Sequence, residues 1–221
     1  MKSIIVYPTI KHTHTFICLH GMCCYAEDMK DNFQKLIEHY PSIKFIFINS
    51  PTMTVNWPDG KQHNVKSWYN YYTCNDGLLK HDIIDINGLN DQKNRIIKVL
   101  NRETNLLGDN KKIFLCGSSQ GGTVCLHSLM HLNYPIGGVF CLRTVFMDNI
   151  SKVNPNNKET PIFIFAGQND EIYKLLLQRR SFSKLANSGF ILYWHVQPKL
   201  DHSTYSKKEV NTINKWLKTI I

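Results

Sequence analysis

No apolar run in this chain reaches the roughly 18 residues that a membrane-spanning helix needs, so no transmembrane segment is expected. The opening Met1-Lys2-Ser3-Ile4-Ile5-Val6-Tyr7-Pro8 carries one lysine and too short an apolar stretch for a signal peptide. Low-complexity tracts and internal repeats are absent, which argues against a solenoid or a disordered chain. A disulfide framework is missing as well. The 7 cysteines are an odd number. Cys18, Cys116, Cys125 and Cys141 fall inside apolar strand or helix patterns, where a free thiol behaves as a small hydrophobe. With no leader, this points to a reducing, cytoplasmic compartment. The doublet Cys23-Cys24 and the nearby His20 lack the spacing of a zinc site, so neither metal nor cofactor is expected. Acidic residues are the scarcer charge, 17 against 26 basic, for a net charge of +9. The basic residues are scattered, in pairs such as Lys111-Lys112 and Arg179-Arg180, with no nucleic-acid motif beside them. Specific nucleic-acid binding is not expected; a weak attraction to anionic surfaces is compatible with the charge.

What is present is a regular alternation. A hydrophobic content of 43% and 221 residues suffice for one domain, 1–221, with a sizeable core. Strands are predicted over 3–7, 14–19 and 43–48, with a helix over 26–40 between the last two. Residues 49–86 show little regular pattern; Pro51, Pro58-Asp59-Gly60 and Asn75-Asp76-Gly77 mark loops. A helix follows over 89–106, a strand over 112–116 and a helix over 122–130. Strands over 138–142, 161–166 and 190–196 and helices over 171–186 and 206–220 complete the chain. Continuous apolar strands alternating with helices indicate a mostly parallel sheet covered on both faces. Such sheets carry their sites at the strand carboxyl ends.

Gly117-Ser118-Ser119-Gln120-Gly121 lies between an apolar strand and a helix. Strand, Gly-x-Ser-x-Gly turn and helix are the parts of a nucleophile elbow, which makes Ser119 the candidate nucleophile. A hydroxyl needs a base to take its proton. Of ten histidines, His202 is the best placed, in a loop after strand 190–196 and before the last helix. An acid must then orient the imidazole. Asp170 follows strand 161–166 directly; Asp201, next to His202, is the competing choice, but neighbouring side chains in an extended loop point apart. Two backbone donors are required for the oxyanion of a tetrahedral intermediate. The amide of Gln120 supplies one, and that of Met22, after His20-Gly21, the other. The chain order Ser119, Asp170, His202 is that of an α/β-hydrolase.

These residues resemble the acyl-protein thioesterase and carboxylesterase branch of the α/β-hydrolases, the small lidless serine esterases. The resemblance is carried by Leu19-His20-Gly21, Ser67-Trp68-Tyr69, Gly117-x-Ser119-Gln120-Gly121-Gly122, Gly167-x-x-Asp170 and His202, and covers about residues 14–219. It implies an α/β-hydrolase fold without a large cap domain, a Ser119–Asp170–His202 triad, and Met22 and Gln120 as oxyanion donors. The rim departs from the family pattern. Cys23-Cys24 stand where Gly-Asp is usual, Asn70 follows Trp68-Tyr69 in place of Asp, and Arg143-Thr144-Val145-Phe146 replace a small residue and Trp-Leu-Pro.

The rim aromatics either pack loops onto the domain or form an apolar groove for an acyl chain; Trp68, Tyr69 and Phe146 are assigned as substrate contacts on the second reading. Arg143 reads as a surface ion-pair partner, with approach to an anionic leaving group as the alternative. The function expected is a cofactor-free serine hydrolase acting on small-molecule or lipid esters or thioesters, including S-acylated proteins. The rivals are an inactive binding module on the same scaffold and a peptidase.

Overall fold

The computed structural model describes residues 3–57 and 60–221. Met1 and Lys2 of the N-terminal reading, and Pro58 and Asp59 of the loop reading, lie outside them. The elements run β1 (Ile4–Val6), β2 (His14–Leu19), α1 (Ala26–Asn32), α2 (Gln34–His39), β3 (Ile43–Ile48), β4 (Thr52–Val55), β5 (Gln62–Lys66), α3 (Ile86–Leu107) and β6 (Ile113–Ser118). There follow α4 (Gln120–Leu129), β7 (Gly138–Leu142), β8 (Ile162–Gly167), α5 (Leu175–Asn187), β9 (Leu192–Gln197) and α6 (Lys207–Leu217).

Seven strands make one sheet in the order β1-β3-β2-β6-β7-β8-β9. Only β1 runs antiparallel, against β3; the other pairs are parallel. Strand period sorts the core into two layers. Ile17, Leu19, Leu115, Val139, Cys141 and Ile164 face α3, α4 and α5. Phe16, Phe45, Phe114, Phe140, Phe163 and Phe165 face α1, α2 and α6. The second layer is an aromatic stack, with Phe140 and Phe163 at 4.7 Å and Phe16 and Phe140 at 5.1 Å between ring centroids. Helices therefore cover both faces of a mostly parallel sheet, the α/β-hydrolase architecture, with no large cap among the described residues.

Three expectations are revised. The helix predicted over 26–40 is two segments meeting at Phe33, whose amide is shared between the carbonyls of Met29 and Lys30 at 3.0 and 3.1 Å. Residues 52–66 contain the antiparallel pair β4–β5, which the reading of 49–86 as irregular missed. The helix predicted from 171 begins at Leu175, because the amides of Ile172 and Tyr173 turn back to the Asp170 carboxylate.

Candidate active site

The parallel register aligns the strand ends: Leu19 sits opposite Gly117, Ser118 opposite Leu142, and Gly167 opposite Gln197. The turns after β2, β6, β7, β8 and β9 therefore share one edge of the sheet. Ser119 stands at the tightest of them, with φ 50° and ψ −120°, a strained backbone for a residue with a side chain. The turn closes only because of its glycines. A Cβ on Gly121 would lie 2.4 Å from the Leu19 carbonyl oxygen, and one on Gly117 would lie 2.4 Å from the Gly121 backbone. The Ser119 amide donates to the Leu142 carbonyl at 2.8 Å, and the Thr144 hydroxyl donates to the Ser119 carbonyl at 2.6 Å.

The Ser119 Oγ lies 2.8 Å from His202 Nε2. His202 Nδ1 lies 3.0 Å from both carboxylate oxygens of Asp170. A carboxylate can only accept, so Nδ1 carries the proton and Nε2 is free to accept from Ser119. Asp170 is buried and held by the amides of Tyr173 at 2.7 Å and Ile172 at 3.1 Å, with the Gln178 side chain at 3.4 Å. The edge of the Tyr173 ring meets the imidazole at 5.3 Å between centroids. Asp201, the competing acid, instead accepts from the amide and hydroxyl of Thr204 within its own loop.

Gly21 places the turn after β2 beside the elbow; a Cβ there would be 3.5 Å from the Ser119 Cβ. Among the described residues no backbone carbonyl accepts the amide of Met22 or of Gln120. Gln120 opens α4, so its amide is one of the donors a helix leaves unpaired. The turn is braced from outside. His20 Nδ1 lies 2.6 Å from the Gly21 carbonyl, and the Ser50 amide donates to His20 Nε2 at 3.0 Å. Burial pushes the His20 imidazole down to about 4, which keeps it neutral. The Cys23 amide donates to the Lys66 carbonyl at 2.8 Å, tying the turn to β5.

Beside Ser119 and His202 opens a cavity of about 310 Å³, with Met22, Trp57, Tyr71, Ile172 and Tyr173 among its apolar walls and Asp76 and Asp82 adding carboxylates. Burial raises both carboxyls above the ordinary range. Among the described residues no group of three or more His, Cys, Asp or Glu side chains is assembled that could hold a metal ion.

The model of the phospholipase/carboxylesterase family matches residues 1–221. The chain belongs to this family. As a phospholipase/carboxylesterase family member it is a hydrolase. It is similar to acyl-protein thioesterase 1 of Schizosaccharomyces pombe, 27% identical over 196 residues that cover 85% of this chain and 82% of that protein. It is likewise similar to acyl-protein thioesterase 1 of Cryptococcus neoformans, 23% identical over 238 residues, or 98% and 96% of the two chains. In fold it matches the crystal structure of Arabidopsis thaliana SOBER1 with a TM-score of 0.80 at 21% identity, over 94% of this chain and 98% of that one.

The substrate contacts expected of Trp68, Tyr69 and Phe146 are corrected. All three side chains are fully buried, and none lines the cavity. Trp68 Nε1 donates to the His20 carbonyl at 2.8 Å, and the Gln120 side chain accepts from the Trp68 amide at 2.7 Å and donates to the Tyr69 carbonyl at 2.9 Å. The Ser67-Trp68-Tyr69 segment is thus a clamp between the elbow and the turn after β2. Phe146 belongs to the core layer that contains Phe182. The wall comes instead from Trp57, Tyr71, Ile172 and Tyr173; the first two lie within the irregular stretch 49–86 that also holds Trp68, and apolarity alone could not separate them from it. The surface reading of Arg143 is also corrected: it is 1% exposed and paired with Glu209, itself 1% exposed, at 2.6 Å, and it borders the cavity beside Ser119. The strand-end rule pointed to Arg143, and its charge misdirected the reading to the surface. Glu209 lies on the same stripe of α6 as Ile213 and Leu217, a spacing that marks it as buried.

Proposed function

We propose that the protein hydrolyses carboxylic ester or thioester bonds through an acyl-enzyme on Ser119. The observation that carries this reading is the unbroken relay from Ser119 Oγ at 2.8 Å to His202 and from His202 at 3.0 Å to Asp170. His202 Nε2 takes the hydroxyl proton as Ser119 Oγ attacks the acyl carbon. Asp170 fixes the tautomer and stabilises the imidazolium. The oxyanion is received by the amides of Met22 and Gln120, donors already oriented before charge develops. His202 then returns the proton to the departing alkoxide or thiolate. In the second half, water loses a proton to His202 and attacks the acyl carbon; the bond to Ser119 Oγ breaks, His202 returns the proton to Oγ, and the acid leaves.

The apolar walls of the cavity suit an acyl chain, and the similarity to acyl-protein thioesterases favours acylated protein as one substrate class; lipid esters share the same acyl chemistry. The seven free thiols fit action in a reducing cytoplasm. Ser119→Ala should lower turnover of p-nitrophenyl esters by about 10⁴-fold or more while leaving the unfolding midpoint in place. Unchanged turnover would remove Ser119 from the reaction. A chain-length series of p-nitrophenyl esters and acyl thioesters reads the cavity: medium chains should exceed acetyl in kcat/KM, and a strong preference for acetyl contradicts the acyl assignment.

A further inference from the structure

The turn after β7 holds a group that the triad does not use. Arg143 adopts φ 46°, and its amide donates to the Phe165 carbonyl at 2.8 Å, so its backbone is fixed by β8. Its guanidinium is buried beneath the catalytic edge. NH1 donates to the Thr204 carbonyl and to Glu209 Oε2, both at 2.6 Å. NH2 donates to Ser118 Oγ at 3.3 Å and reaches Glu209 Oε1 at 3.5 Å. The ring of Tyr205 covers it at 5.1 Å.

Three of these partners have a direct relation to the chemistry. Ser118 immediately precedes the nucleophile. Thr204 lies two residues after His202. Glu209 stands in the first turn of α6, which begins where the His202 loop ends. Other ties of that loop are Asn169 to the Leu200 carbonyl, Glu171 to the His202 amide and Asp201 to Thr204, and beyond Thr204 the Tyr205 side chain also pairs with Cys24. We propose that Arg143, anchored on Glu209, is a positioning residue that holds the His202 loop against the nucleophile elbow. The inference rests on the hydrolase reading above and deepens it.

The energetics favour position over stability. A buried ion pair gives up the hydration of both charges, and replacing both partners by apolar residues of similar volume is often neutral or stabilising. A planar guanidinium can direct four N–H groups at three separate acceptor residues; an ammonium offers three donors around a point and cannot reproduce that span. Two variants separate the roles. Arg143→Met/Glu209→Met removes both charges together and leaves no lone buried carboxylate. Arg143→Lys keeps a cation opposite Glu209 and loses the planar fork.

The experiment measures kcat and KM for a p-nitrophenyl ester, normalised to folded protein, beside the thermal unfolding midpoint. For the double variant the expected result is a fall in kcat of about 10- to 100-fold, the scale of a misplacement near 1 Å. KM should stay within about twofold, and the midpoint should lie near or above wild type. Arg143→Lys should lower kcat in the same direction with the fold intact, and it carries the test if the double variant does not fold. A folded variant with wild-type kcat, or a loss of activity that tracks only the unfolded fraction, overturns the proposal and leaves the hydrolase reading standing. Wild-type protein without turnover overturns the hydrolase reading itself, and this inference with it.

Discussion

His20 commits both ring nitrogens to the backbone, one to Gly21 and one to Ser50, and it is 0% exposed. Its depressed value, about 4, has a consequence for stability. Between the ordinary histidine value of about 6.5 and that value, the unfolded chain binds a proton that the folded chain refuses. Stability from this group is complete above pH about 6.5 and is lost as pH falls towards about 4, by about 3 kcal/mol at most. His127, pushed down to about 3 by burial and by its neighbours His131 and Lys93, adds a second loss of the same sign that extends lower. Urea unfolding between pH 7 and 4 should show the decline. A His20→Gln variant should flatten it by about one proton equivalent; an unchanged slope would show that His20 does not carry the term.

The elements of the sheet were legible where one physical rule dominated. Continuous apolar runs gave β2, β3, β6, β7 and β8 because strands covered on both faces have no polar side to show. The rule failed where a local hydrogen bond competes with helix formation, as at residues 171–174, where the amides serve Asp170. It failed again at β4–β5, whose residues are mostly exposed or half-buried and lack a continuous apolar run. The elbow makes its own test at this scale. A methyl group on Gly121 meets the β2 backbone at 2.4 Å, and neither strand nor helix can yield. Gly121→Ala should destabilise by more than about 2 kcal/mol and abolish turnover. Gly108 ends α3 at φ 67° with open space around it, so Gly108→Ala should cost only about 1 kcal/mol. Equal effects in urea unfolding would contradict the steric account of the elbow.

Across the whole molecule, the parallel sheet brings the carboxyl ends of six strands to one edge, where Ser119 and His202, 83 positions apart, meet. Ser119, Asp170 and His202 were readable in order because each follows its own strand, and the structure places their side chains in hydrogen-bond contact. The rim was less readable for a physical reason. An aromatic side chain gives the same apolar signal whether it walls a cavity, as Trp57 does, or lies sealed beneath one, as Trp68 does. Which occurs depends on contacts between distant loops. Likewise a charge such as that of Arg143 reads as solvent-facing until its buried partner on α6 is known. The central claim is that this assembly activates one hydroxyl, and a fluorophosphonate probe followed by peptide mapping tests it most directly. Folded wild-type protein should take up one adduct, on Ser119, with none in Ser119→Ala and much slower uptake in His202→Ala. No adduct on the folded protein, or an adduct on Ser118 in place of Ser119, would contradict it.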